Sequence, residues 1–147
     1  MDIHHAMIIR NTLPDRLYGA LTQARDLEVW MGAPTLARPE VGSTIEFQFD
    51  QGQRILKMEV TRLEVGEVVE WRVIQPVWPI DEVNQIITWT LIPYEGSTLV
   101  DFRMNGWPQD DDVYASVSYK WASFMMRLKL YMGDTRELAT FLPTDLQ

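Results

Sequence analysis

From residue 44 to residue 104 the chain alternates apolar and polar residues through five runs, and no other feature limits the fold as strongly. In 44–50, Ile45, Phe47 and Phe49 point one way and Glu46 and Gln48 the other. Run 55–63 sets Leu56, Met58 and Val60 against Lys57 and Glu59. Run 68–74 sets Val69, Trp71 and Val73 against Glu70 and Arg72. The apolar set is Ile87, Trp89 and Leu91 in 85–92, and Val100, Phe102 and Met104 in 98–104. A period of two marks β-strands, and one polar face per strand marks an antiparallel sheet with one side toward water. Turn signals at Gln51-Gly52, Val65-Gly66-Glu67 and 93–96 make sequence neighbours pair antiparallel. Segment 76–81, with Pro76 and Pro79 around Trp78, reads as a loop or sheet edge.

An earlier strand is expected over 2–10. Pro14 and Asp15 then suit the first turn of a short helix carrying Leu17, Tyr18 and Leu21. A second helical piece with Leu27 and Trp30 stops at Gly32-Ala33-Pro34, and a loop runs on to Gly42. After the strands, Asp110, Asp111 and Asp112 provide N-terminal capping charges for a long helix. Tyr114, Val117, Trp121, Met125, Leu128 and Met132 repeat on it at three- and four-residue spacing, an apolar stripe that Phe124 and Leu130 widen. Gly133 ends it, and Asp134-Thr135-Arg136-Glu137 resembles a capping box for a short turn through Phe141. A sheet with one apolar face and a helix with one apolar stripe bury each other, which gives an α+β domain spanning 1–147.

Composition removes whole classes of function. With no cysteine there is no disulfide, thiolate metal site or cysteine nucleophile. A net charge of −8 without a basic stripe argues against nucleic acid and against anionic membrane surfaces. The N-terminus has no leader-like pattern and no apolar run would span a bilayer, so a cytoplasmic location is expected. Six tryptophans and eight methionines mean either a large core or an adaptable apolar cavity.

Catalytic and metal constellations are not expected. His4 and His5, the sole histidines, are adjacent on a strand and point to opposite faces, which does not make a metal pair. Ser43, Ser97, Ser116, Ser118 and Ser123 lack a nucleophile-elbow context. Glu46, Glu59, Glu70 and Asp101 fall on the wet face. Arg72 and Arg103 fall there too, but a one-residue register slip would turn either inward as a carboxylate anchor. Isolated turn glycines offer no phosphate loop, so no cofactor is indicated.

Four stretches carry a family resemblance: Leu17-Tyr18-Gly19-Ala20-Leu21-Thr22 with Trp30 after it; 63–71, which ends in Trp71; Gly96-Ser97-Thr98 through Phe102 to Asn105-Gly106-Trp107; and Trp121 followed by Leu128-Lys129-Leu130-Tyr131-Met132. In this order and spacing the chain resembles the START/Bet v 1-like (SRPBCC) superfamily. Within it, the chain is most similar to bacterial homologues of the activator of heat-shock protein 90 ATPase. The resemblance implies a helix-grip fold. In that fold a curved antiparallel sheet of about six strands wraps a long C-terminal helix, with two short helices after the first strand. It also implies a ligand-sized cavity between sheet and helix. Two positions depart from the pattern. Met104 stands where many relatives have a polar residue, which implies a drier pocket, and Lys120 stands where many have glycine.

The expected cavity lining is Trp30, Phe47, Phe49, Met58, Trp71, Trp89, Phe102, Met104, Tyr114, Trp121 and Met125. The expected partner is a hydrophobic small molecule, lipid-like, polyketide-like or terpenoid-like. A cyclase or aromatase using the same cavity and a stress-related chaperone-interaction module stay open as alternatives. A homodimer stays open as well, through an exposed edge around Trp78 or the loop at Trp107.

Overall fold

The structure, a computed structural model, describes residues 1–135. Strands β1 (Ile3–Ile9), β2 (Thr35–Leu36), β3 (Thr44–Phe49), β4 (Arg54–Glu64), β5 (Val68–Gln75), β6 (Ile86–Tyr94) and β7 (Ser97–Asn105) form one antiparallel sheet in the order β1-β7-β6-β5-β4-β3-β2. Helices α1 (Pro14–Thr22) and α2 (Ala24–Met31) follow β1, and α3 (Asp112–Tyr131) follows β7. This is the helix-grip arrangement.

The alternation read from the sequence is the observed facing. Trp89 pairs with Phe102 on one side and Val69 on the other, and Ile87 pairs with Met104 and Trp71. All of these are buried. A register break between Val60 and Arg62 places an extra residue in β4, so the inward set passes from Leu56, Met58 and Val60 to Leu63, opposite Val69. Arg72 and Arg103 face outward, 3.4 Å from Glu59 and 3.2 Å from Asp101, so the inward alternative for either arginine is closed.

Three expectations need correction. The loop from Gly32 to Gly42 contains β2, whose Thr35 pairs with Phe47; two residues are too short for a periodic signal. The turn placed at 93–96 is tighter, because Pro93 and Tyr94 continue β6 opposite Thr98 and Ser97. Only Glu95 and Gly96 lie between, both at positive φ, as a two-residue hairpin demands. Finally, Leu130 is exposed and does not widen the stripe of α3. It lies two residues beyond the buried Leu128, about 200° around the helix. The expected capping box and turn through Phe141 extend outside the described residues.

The stripe of α3 covers the apolar face of the sheet with Val117, Trp121, Phe124, Met125, Leu128 and Met132. Lys129 is buried beside them. Its ammonium donates to the Ile8 carbonyl and lies 3.4 Å from the Asp134 carboxylate, which itself accepts the Arg10 amide at 2.8 Å. The end of α3 is thereby tied to β1. Arg127 donates to the Trp30 carbonyl at 2.7 Å, tying α3 to the end of α2. That end turns through Gly32 at φ 72°, where a side chain would meet the Arg127 guanidinium.

Candidate functional site

The middle of the helix–sheet interface is filled by aromatic rings. Trp89 is the hub, with ring centroids 4.8 Å from Phe102, 5.7 Å from Trp71, 6.0 Å from Trp30 and 6.3 Å from Trp121. Phe102 stacks on Trp121 at 5.3 Å. Trp30 enters from α2, its indole donating to the Ala20 carbonyl at 2.9 Å. Phe47, Met58, Met104 and Met125 are buried in the same core. Tyr114 is half-buried nearer the helix start, donating to the Asp2 carbonyl at 2.8 Å and packing edge-on to Trp107 at 5.8 Å.

Open space lies to one side of this core. A cleft of about 670 Å³ runs between the first turns of α3, the β3–β4 hairpin and the loop after β5. Its walls are Phe49 and Leu56 from the sheet, Val77, Trp78 and Pro79 from the loop, and Val113, Val117, Trp121 and Phe124 from the helix. Of the residues expected to line a cavity, Phe49 and Trp121 reach this cleft; Tyr114 and the core residues named above lie beside it. Phe49 and Phe124 stack at 6.2 Å. Ser116, Tyr119 and Lys120 form the helical rim, with Asp50, Arg54 and Asp112 at the ends. A smaller cavity of about 360 Å³, lined by Ile80, Asp81, Glu82, Trp107 and Asp111 among others, adjoins it; Pro79 and Val113 line both.

The loop 76–85 that separates the cavities is positioned from three sides. The Arg54 guanidinium donates to the Val77 carbonyl at 2.7 Å. Trp78 packs on Trp107 at 5.9 Å. The Gly106 backbone lies so close to the Asn84 carbonyl that no side chain fits there. Trp78 belongs to no strand, so it is not the sheet edge considered for a homodimer; the sheet edges are β1 and β2, and Trp107, in the other segment considered, is buried.

Polar groups elsewhere join one element to another. His4 sits 2.6 Å from Asp101 on the outer face, while His5 faces α3, 3.2 Å from both the carbonyl and the hydroxyl of Ser118. The carboxylate of Asp111 caps α3 by accepting the Tyr114 amide at 3.0 Å. That bond, followed by one from Gln109, lowers its pKa. Tyr131 donates to Asp26 at 2.5 Å; this bond first, and burial second, raise the Tyr131 pKa.

With fold and cleft in place, similarity to known proteins becomes informative. Residues 11–133 match the family described as Activator of Hsp90 ATPase homolog 1-like protein. The chain belongs to this family. Among solved structures, the Aha1 dimer from Colwellia psychrerythraea is 29% identical, with a TM-score of 0.78 over 88% of this chain and 93% of that one. An Hsp90 activator from Plasmodium falciparum shares the fold at 17% identity, with a TM-score of 0.74 over 90% and 96% of the two chains. DynU16, from the dynemicin biosynthetic locus, also shares it, at 18% identity and a TM-score of 0.74 over 90% of this chain and 47% of that one. No curated protein sequence matches. Among the described residues no helix is long and apolar enough to cross a membrane.

Within this Hsp90-activator-like family frame, the cleft uses several residues that the sequence did not single out for a site. Leu56, Val117 and Phe124 read only as core positions. Trp78 was a proline-flanked loop residue, and an apolar cluster of Val77, Trp78 and Ile80 around two prolines is the signal that could have marked it. Lys120 was noted only as a departure from the family pattern.

Proposed function

We propose that the chain binds an apolar or amphipathic small molecule, lipid-like, polyketide-like or terpenoid-like, in the cleft between the β3–β4 hairpin and α3. The observation that carries this reading is an apolar floor of Phe49, Leu56, Trp121 and Phe124 beneath a cleft whose volume falls within the usual range for small-molecule sites. The tight aromatic packing of the neighbouring core supports it, because a guest there would meet a surface that is already set rather than one that must form. Asp50, Arg54, Asp112 and Lys120 around the cleft are all exposed. Cyclase-type chemistry would need a desolvated acid or base at the guest, and the cleft offers none among the described residues. We therefore rank binding above catalysis.

A panel of the three compound classes, screened by thermal shift and native mass spectrometry, tests the reading. A true guest at one hundred times its Kd adds about 2.7 kcal/mol of stability, which raises Tm by roughly 5–10 °C in a chain this size. Ser116→Trp puts an indole into the cleft from an exposed helix position, and we expect it to weaken binding at least ten-fold while leaving the unliganded Tm within about 2 °C. A panel without a single stabilising compound rejects the reading. A role in chaperone interaction draws on the family and on likeness to the Plasmodium falciparum activator; stimulation of Hsp90 ATPase that survives Ser116→Trp would favour it.

A further inference from the structure

We propose that the guest is an amphipathic carboxylate whose head meets Lys120 and whose apolar body lies on Phe49, Leu56, Trp121 and Phe124. This rests on the binding function proposed above and names the ligand class. Four charged side chains border the cleft, and three are already accommodated. Arg54 donates to the Val77 carbonyl and stands 3.8 Å from Asp50, which neutralises both. Asp112 lies in the first turn of α3, where the helix dipole favours a negative charge. Lys120 makes no ion pair among the described residues; its ammonium stands 5.6 Å from the centre of the Phe124 ring. The four charges sum to zero, and Lys120 is the cation of the cleft that no carboxylate pairs among the described residues, in a chain whose net charge is −8.

The hydrogen-bonding inventory points the same way. The indole N–H of Trp78, in the cleft wall, is buried without an acceptor among the described residues. An indole nitrogen can only donate. The Trp107 indole, on the adjoining cavity, is in the same condition, as are those of Trp71 and Trp89 in the packed core, but only Trp78 and Trp107 line open space. A buried donor without an acceptor costs free energy that an incoming oxygen recovers. A guest that serves both an ammonium and an indole N–H must present an oxygen acceptor carrying negative charge. A carboxylate does this, and its bond to an ammonium is stronger than a neutral one. An ammonium-bearing guest would meet repulsion at Lys120 and bring no acceptor.

Dodecanoate and dodecanol, equal in chain length and different in head group, separate the possibilities when titrated calorimetrically at low salt and pH 7.5, below micelle-forming concentrations. Wild-type protein is expected to bind dodecanoate about five-fold more tightly, the scale of one partly exposed charge pair. Lys120→Met should weaken dodecanoate alone and bring the ratio to about one, whereas Lys120→Arg should keep the preference. Lys120 is exposed, so both variants are expected to melt as the wild type does. Equal affinity for the two compounds, or a carboxylate preference that persists in Lys120→Met, overturns the proposal and leaves the binding function standing. Binding of neither compound to any form overturns this proposal too, and the three-class panel then decides the binding function.

Discussion

Along α3, the last turns and the first turns meet different surroundings. Toward the C-terminal end, Lys129 is buried against the Ile8 carbonyl and Asp134, Arg127 holds the end of α2, and Tyr131 reaches Asp26. Each is a polar side chain joined to another element. Toward the N-terminal end, Asp111 caps the helix and Tyr114 reaches Asp2, but the next exposed turn carries Ser116, Tyr119 and Lys120 along an open cleft. The difference teaches that anchoring and candidate recognition occupy separate stretches of one helix. The aromatic hub lies between them and leaves the cleft open.

The strongest way to break this contrast is to compare a hub residue with a cleft residue. Trp89→Ala is expected to cost about 4 kcal/mol in urea unfolding, because a fully buried ring leaves a cavity that its neighbours cannot fill. Phe49→Ala, at a half-buried position on the cleft, should cost about 1–2 kcal/mol, since its site is already open on one side. Equal losses would erase the distinction between a filled core and an open flank.

Next in size is the anchor at the helix end. Asp134→Ala takes away the carboxylate 3.4 Å from the buried Lys129 ammonium and the acceptor of the Arg10 amide, and should cost about 3 kcal/mol. The double variant Lys129→Met with Asp134→Leu removes both charges together and should recover most of that loss. A double variant no more stable than Asp134→Ala alone would show that the Arg10 amide, not the ion pair, holds the corner.

The smallest effect sharpens the comparison through pH. The Tyr131 pKa is raised in the folded chain, chiefly by its bond to Asp26. A raised folded pKa means that the stabilisation is complete below the ordinary tyrosine value of about 10 and is lost as pH rises through the folded value. Tyr131→Phe should therefore cost about 1 kcal/mol near pH 7, and the two proteins should converge in stability as the solution becomes strongly alkaline. A constant difference across that range would assign the effect to packing instead of the phenol hydrogen bond.

Most of the scaffold could be read from the residues because its parts are periodic. Val69, Trp71 and Val73, or Val100, Phe102 and Met104, declare their face by spacing alone. What escaped was aperiodic or too short. β2 has two residues, and the break near Thr61 changes parity inside a strand without a marker such as glycine. Lys129 was legible in principle: it lies four residues after Met125 and eight after Trp121, on the stripe itself. A lysine at such a position ordinarily reaches solvent, and the partners that hold it, Ile8 and Asp134, come together only in three dimensions. The cleft was the least legible part. Aromatic residues that favour a cavity are the same residues that fill a core, and sequence does not say which side of the packed rings stays open. That is settled by where the loop with Trp78 lands, and its placement depends on the Gly106 backbone and on Arg54.

Only Phe49 and Trp121, among the residues first expected to surround a guest, take part in both the cleft wall and the ring cluster. Ser116 and Tyr119 make no ring contact with that cluster among the described residues, so substitution there leaves it untouched. Descendants of such a chain can drift at these rim positions and acquire new preferences while folding as before. A designer can use the same freedom, diversifying the rim in libraries without first adding stability elsewhere.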